Sequence, residues 1–225
     1  METIQIISLT MGVAWASGIN LYAAMFMLGW MGSTGDLNLP PDLEVLMNPL
    51  VMTAAGFMYC VEFFADKIPG VDTGWDAIHT FIRIPAGAML AAGAVGDVTP
   101  AVELSAFILG GALATGSHAA KAGSRIMINA SPEPVTNWTA SITEDVAVIG
   151  GLWTALNYPW LFVAALVVFI VLLVWLLPKL WRTMKRLFNW LGRKLGMIDE
   201  PPVTAATSST ETTKPAPEQI PPPSP

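Results

Sequence analysis

Leu161–Leu177 reads LFVAALVVFIVLLVWLL, a run without a charge, a side-chain amide or a proline. As a helix rising 1.5 Å per residue it extends about 26 Å, close to the roughly 30 Å hydrocarbon core of a bilayer. A helix apolar on every side belongs in lipid or in the middle of a large core. Composition decides between the two. Of 225 residues, 53% are hydrophobic and only 12% are charged, about half the charge of an ordinary soluble domain. That supply cannot cover a soluble surface, so the chain is read as integral to a membrane. Cys60 is the only cysteine, which excludes an internal disulfide and any multi-cysteine metal site. The net charge of −6 and the absence of a basic domain leave nucleic-acid binding without support.

Outward from this run, five more segments are long or apolar enough to cross. The expected architecture is an all-α polytopic membrane helix bundle of about six spans, at 4–31, 47–65, 77–98, 101–127, 140–156 and 159–178. Residues 1–178 then form the transmembrane domain. Residues 179–197 follow as a basic amphipathic helix, with an apolar stripe at Leu180, Met184, Leu187, Leu191 and Leu195 and six basic residues around it. Such a helix lies in the interface and attracts anionic lipid headgroups; a plain membrane anchor has the same pattern. Residues 198–225 are rich in Pro, Thr and Ser and are expected to be a disordered tail. Ala14-Trp15-Ala16 has the spacing of a signal cleavage site, but Glu2 stands where a positive n-region is needed and the apolar run continues, so the first segment is retained as a span.

Basic residues accumulate on cytoplasmic flanks. With six spans, Lys67, Arg83, Lys121, Arg125 and the seven beyond Pro178 all fall on one face. Both termini are therefore expected in the cytoplasm of a bacterial cell, with the bundle in its inner membrane. Ala14-Trp-Ala16-Ser17-Gly18-Ile-Asn20 echoes Ala112-Leu-Ala114-Thr115-Gly116-Ser-His118 three spans later. This is the signature of a 3+3 inverted repeat, a common transporter plan. Small residues four apart also simply let membrane helices approach, and such faces suit a homodimer.

The polar residues concentrate in two stretches. Glu62, Asp66, Lys67, Asp72, Asp76, His79 and Arg83 fall within 22 positions. Asp72, Asp76, His79 and Arg83 recur at helical spacing and share one face. Carboxylates with an imidazole can hold a divalent cation or pass protons, which makes Asp72, Asp76 and His79 the metal-ligand candidates. No other cofactor is implied, and the competing reading is a charge-paired interfacial loop. The second stretch comprises His118, Lys121, Arg125, Glu133, Asn137, Glu144 and Asp145; acids near a helix start also have the plain explanation of the helix dipole. With Asn20 at mid-depth, these residues make up the expected pathway for a small ion or anionic solute.

Three phrases carry a resemblance. They are Ser17-Gly18-x-Asn20-x-Tyr22, Ala65-Asp66-Lys67-x-Pro69-x-x-Asp72-x-x-Trp75-Asp76-x-x-His79-x-x-x-Arg83, and Ser131-Pro132-Glu133-Pro134-x-x-Asn137. Together they are similar to a bacterial multi-span family designated as a domain of unknown function, DUF4126. The resemblance spans roughly residues 1–175 and implies that the three phrases belong to one family site; it implies no reaction.

Three functions compete. A small secondary transporter or ion-coupled permease requires a polar cavity running from Asn20 and His118 toward the acids. A membrane enzyme acting on lipid phosphates requires Asp72, Asp76, His79 and Glu144 to converge on one ion; no nucleophile elbow, H-E-x-x-H or phosphate-cradling loop accompanies them. A non-catalytic scaffold requires the polar groups to be paired among themselves. Transport is the favoured expectation.

Overall fold

The computed structural model of the chain describes residues 2–68, 70–129 and 134–194. All regular structure among these is helical: α1 (Thr3–Thr34), a 3-10 helix (Pro41–Met47), α2 (Pro49–Ala65), α3 (Val71–Ala94), α4 (Pro100–Asn129), α5 (Pro134–Asn157) and α6 (Pro159–Lys194). The prolines that separate the apolar segments in sequence stand at the first positions of helices. There the missing N–H is no loss and the fixed φ suits the first turn. Asn48 caps α2 by accepting from Leu50 N at 2.9 Å, and Gly35, at φ 80°, closes α1 in the left-handed region. Residues 1–186 form one compact unit. Residues 187–225 form a separate one, described only where α6 ends. α6 continues through Pro178 to Lys194. The side chains of the expected interfacial stripe, and the whole tail, lie outside what is described.

By length and composition α1, α3 and the first part of α6 (Pro159–Lys179) can each cross a membrane. The 3-10 helix and α2, bent by 69°, make a fourth candidate if taken as one span. α4 and α5 have the length, 30 and 24 residues, but not the apolar composition. The chain is thus all-helical and compatible with a membrane protein, while composition supports three or four spans rather than six.

α1 occupies the centre, and most of its residues between Ser8 and Ala24 are buried, while Ile7, Phe26 and Trp30 are exposed. It is not straight. Asn20 leaves the helical region (φ −145°, ψ 94°), and its side-chain oxygen accepts from Ala23 N at 3.0 Å, capping the limb that follows. The limbs on either side fold back on each other. Gln5 and Leu9 line one small hollow with Asp36, Leu37 and Asn38, whereas a straight helix would hold residues 5 and 34 about 44 Å apart. Along the first limb, Ser8 Oγ donates to the Ala155 carbonyl (2.8 Å), Gly12 packs on Ala155, Trp15 on Gly151, and Asn20 reaches Asp145. Along the second, Tyr22 lies beside Met58, Phe26 against Gly56, Gly29 against Leu46 and Gly32 against Met47. α1 is therefore a re-entrant hairpin. Both its ends sit at the end of the bundle that carries the α3–α4 and α5–α6 connections, and Asn20 is at its tip.

The helix expected over 4–31 is thus interrupted at Asn20. A short amide that bonds its neighbours' backbone competes with the helical ladder, and hydropathy does not register the change. The inverted repeat is not confirmed. Ala14 meets Gly110 while Gly18 meets Ala114 and Ser117, so the first limb and α4 run in the same direction.

Small residues bring α1, α3 and α4 together. A Cβ on Gly18 would lie 2.3 Å from the Ala114 carbonyl oxygen, and one on Gly87 would lie 2.4 Å from Ser17 Oγ and 2.6 Å from Ala114 Cβ. Close approach of this kind is how membrane helices gain packing contacts without a hydrophobic drive. α6 attaches through Phe162 and Phe169, both edge-on to Trp15, and leaves large apolar residues such as Val167, Val171 and Trp175 outward.

Candidate functional site

The ionisable residues collect at the other end of the bundle, beneath the hairpin tip. α2 ends with Glu62 and Asp66 one turn apart on its inner face. α3 contributes Asp76, His79 and Arg83, α4 His118, Lys121 and Arg125, and α5 Asn137, Ser141, Glu144 and Asp145. Apart from Glu144, which is half-buried, all these side chains are buried, and Arg83 and Arg125 are fully so.

Three cations hold four anions. Arg83 binds Glu62 through Nη2 and Asp76 through Nη1 (2.9 Å). Lys121 Nζ donates to Glu62 Oε1 (3.0 Å) and Asp66 Oδ2 (2.8 Å), and lies 3.6 Å from Glu144 and 3.8 Å from Asp76. Arg125 grips Glu144 with two donors, Nε at 3.2 Å and Nη2 at 2.7 Å, the fork geometry of a strong pair. Its remaining nitrogen donates to the Asp66 carbonyl at 3.0 Å and to Asn137. Four carboxylates against three cations leave one negative charge in surroundings where an uncompensated charge is costly. Glu62 Oε2, Asp66 Oδ1, Asp76 Oδ2 and Asp145 Oδ2 are buried and accept no hydrogen bond from the described residues. At the C-terminal end of α2, burial pushes the Asp66 carboxyl above its usual range against the opposing pull of Lys121.

The partners fix His118 as neutral. Arg83 Nη1 is an obligate donor and lies 3.3 Å from His118 Nδ1, so the proton sits on Nε2, which donates to Thr80 Oγ1 at 2.7 Å. Thr80 in turn donates to the Asp76 carbonyl at 2.9 Å. His79 Nδ1 donates to the Trp75 carbonyl (2.9 Å), and its Nε2 is hydrogen-bonded to Tyr22 OH at 3.1 Å. The hairpin tip is thus tied to the network twice: by Tyr22 on His79, and by Asn20 Nδ2 donating to Asp145 Oδ1 at 3.0 Å.

Most of the expected site residues converge, with instructive exceptions. Asp72 shares α3's inner face but leaves the cluster. It accepts from Asn129 Nδ2 at 2.8 and 2.9 Å and from the backbone of Gly70 and Thr73, pinning the α2–α3 turn to the end of α4. Asp72, Asp76 and His79 therefore do not form a ligand set, since their partners are Asn129, Arg83 and Tyr22. No group of three or more His, Cys, Asp or Glu set to hold a metal occurs among the described residues. Lys67 turns toward Ser141 Oγ (3.3 Å) and the Phe63 carbonyl (3.0 Å). Glu133 lies outside the described residues. Thr80, Tyr22 and Asn129 acquire roles that spacing does not reveal; each is a neutral residue whose importance depends on which helix it faces.

The charged groups expected to line a polar cavity close on one another. Two apolar grooves instead flank them. One, of about 720 Å³, runs between α4 and α6 with Thr80 and His118 at its floor. The other, of about 750 Å³, lies beside the second limb of α1 and contains Tyr59 and Cys60.

Residues 7–179 match the family described as "Domain of unknown function (DUF4126)". No curated protein and no solved structure matches the chain.

Proposed function

The chain belongs to the DUF4126 family, and on that premise we propose that it is a small ion-coupled membrane transporter, seen with its site occluded. The observation that carries this reading is the re-entrant α1, whose broken point at Asn20 rests on a buried charged network. Interrupted helices are tolerated at membrane depth where they are buried in protein or line a solute path, and their freed ends and charged surroundings bind ions there. One surplus carboxylate favours a proton or another small cation as the coupling ion. Opening requires the hairpin tip to part from Asp145 and His79.

In the proposed orientation, α2 to α6 cross the bilayer of the bacterial inner membrane and α1 dips in and returns. α4 and α5 cross despite their charges, because those charges point inward. The network end, which carries the basic residues from Lys67 to Arg186, faces the cytoplasm. The N-terminus then lies on the outer face, which revises the expectation that both termini are cytoplasmic.

The test is gradient-driven flux in liposomes holding the purified full chain, read with an internal pH dye against H⁺, Na⁺ and K⁺ gradients. We expect flux that falls at least about tenfold in Asp76→Asn and in Asn20→Ala, since breaking a buried pair costs about 3–5 kcal/mol. Flux for none of these ions, or variants equal to wild type, sinks the proposal. The closed pairing of the network favours a second reading, a non-catalytic membrane scaffold. That reading expects no flux, together with the same loss of stability in both variants.

A further inference from the structure

We propose that the groove between α4 and α6 is a binding site for one anionic phospholipid of the leaflet at the network end, with an acyl chain along the groove and the headgroup at its mouth. The proposal rests on the membrane reading above, but not on ion flux. On α4 the groove is lined by Ala119, Ala122 and Gly123, and their small side chains create the space. On α6 it is lined by Val174, Pro178 and Trp181, spaced i, i+4 and i+7 along one face.

That face does not stop at Trp181. It continues to Arg182 and Lys185, both exposed. Arg182 Nε folds back to the Pro178 carbonyl at 3.1 Å, and Lys185 Nζ stands 5.4 Å above the Trp181 ring. An apolar trough that runs into two cations on the same helix face complements an anionic amphiphile, and Trp181 between the two is suited to the headgroup level.

The floor sets the direction of the ligand. Thr80 and His118 are polar, yet their hydrogen bonds are already used: His118 receives Arg83 and donates to Thr80, which donates to the Asp76 carbonyl. A headgroup at the floor would find no free donor, whereas an alkyl chain needs none. The charge therefore sits at the mouth and the tail at the floor.

Native mass spectrometry of the full chain, released from bilayers of phosphatidylcholine with phosphatidylglycerol, tests this. Wild type should retain one phosphatidylglycerol in preference to phosphatidylcholine. Each cation should contribute about fivefold, the equivalent of about 1 kcal/mol. Arg182→Gln with Lys185→Gln, an exposed pair whose loss leaves the bundle intact, should retain the two lipids equally. Ala122→Phe, checked for wild-type helicity, should retain neither. Equal retention by wild type, phosphatidylglycerol preference unchanged in the double variant, or a second copy of the chain held in place of lipid would each overturn the site. Lipid retention without ion flux would leave this site standing while the transport reading falls.

Discussion

Arg83 is the residue on which the network depends most. Its guanidinium is fully buried between Glu62 and Asp76, so Arg83→Met leaves Asp76 without its close partner and Glu62 with Lys121 alone, and should cost about 3–5 kcal/mol. Thermal unfolding in detergent checks this. Adding Glu62→Gln to Arg83→Met should recover part of the loss, because one carboxylate is removed with its partner. A single variant as stable as wild type would show that the pair is not closed in solution. Asp66 gives a second residue-level expectation. Burial holds its carboxyl above the ordinary range, so as pH falls it takes up a proton before other aspartates do. The infrared band of a neutral carboxyl should persist at pH values where ordinary aspartates are ionised, and Asp66→Asn should lack it.

Among the elements, the contact between α1 and α4 is the tightest and the most easily tested. Gly18→Ala drives a methyl group toward the Ala114 carbonyl and Ser117 Oγ and should cost about 1–3 kcal/mol by overpacking. Gly150→Ala on α5 meets nothing within 4 Å and should be neutral or stabilising by a few tenths of a kcal/mol or more. If denaturant unfolding moves equally for both, the close approach is not real. Much of this was legible in the sequence. The 3.6-residue spacing of Asp76, His79 and Arg83 marked α3's inner face, and prolines marked where helices begin. Asn20, His118 and the two acids of α5 were also identifiable as one group. The turn at Asn20 was not legible. Two apolar limbs of about 25 and 21 Å have the same hydropathy as one span, and the only local sign is an asparagine. Asp72 was misread for a related reason: spacing places it on the right face, but Asn129, 57 residues away, decides its partner.

At the scale of the molecule, the proposed orientation predicts that both ends of α1 face the outside of the cell. In a Cys60→Ser background, Gln5→Cys should react with a membrane-impermeant maleimide from outside intact cells. Lys194→Cys should react only after the membrane is opened. Equal protection of both would restore a straight first span and termini on one side. The charged cluster belongs to this scale too, since no single helix supplies it. α2, α3, α4 and α5 each carry residues that are expensive in lipid alone and become tolerable only against the others.

The partners of the hairpin tip also impose an order on assembly. Asn20 bonds Asp145, 125 residues further along the chain, and Tyr22 bonds His79. At synthesis rates of about 5–20 residues per second, α5 follows α1 by some seconds, and until then Asn20 has no Asp145 to dock on. A segment that enters and leaves the bilayer on the same side, with an amide at its turning point, has no stable place in lipid during that interval. The bond at Asn20 is therefore made only once α5 is present.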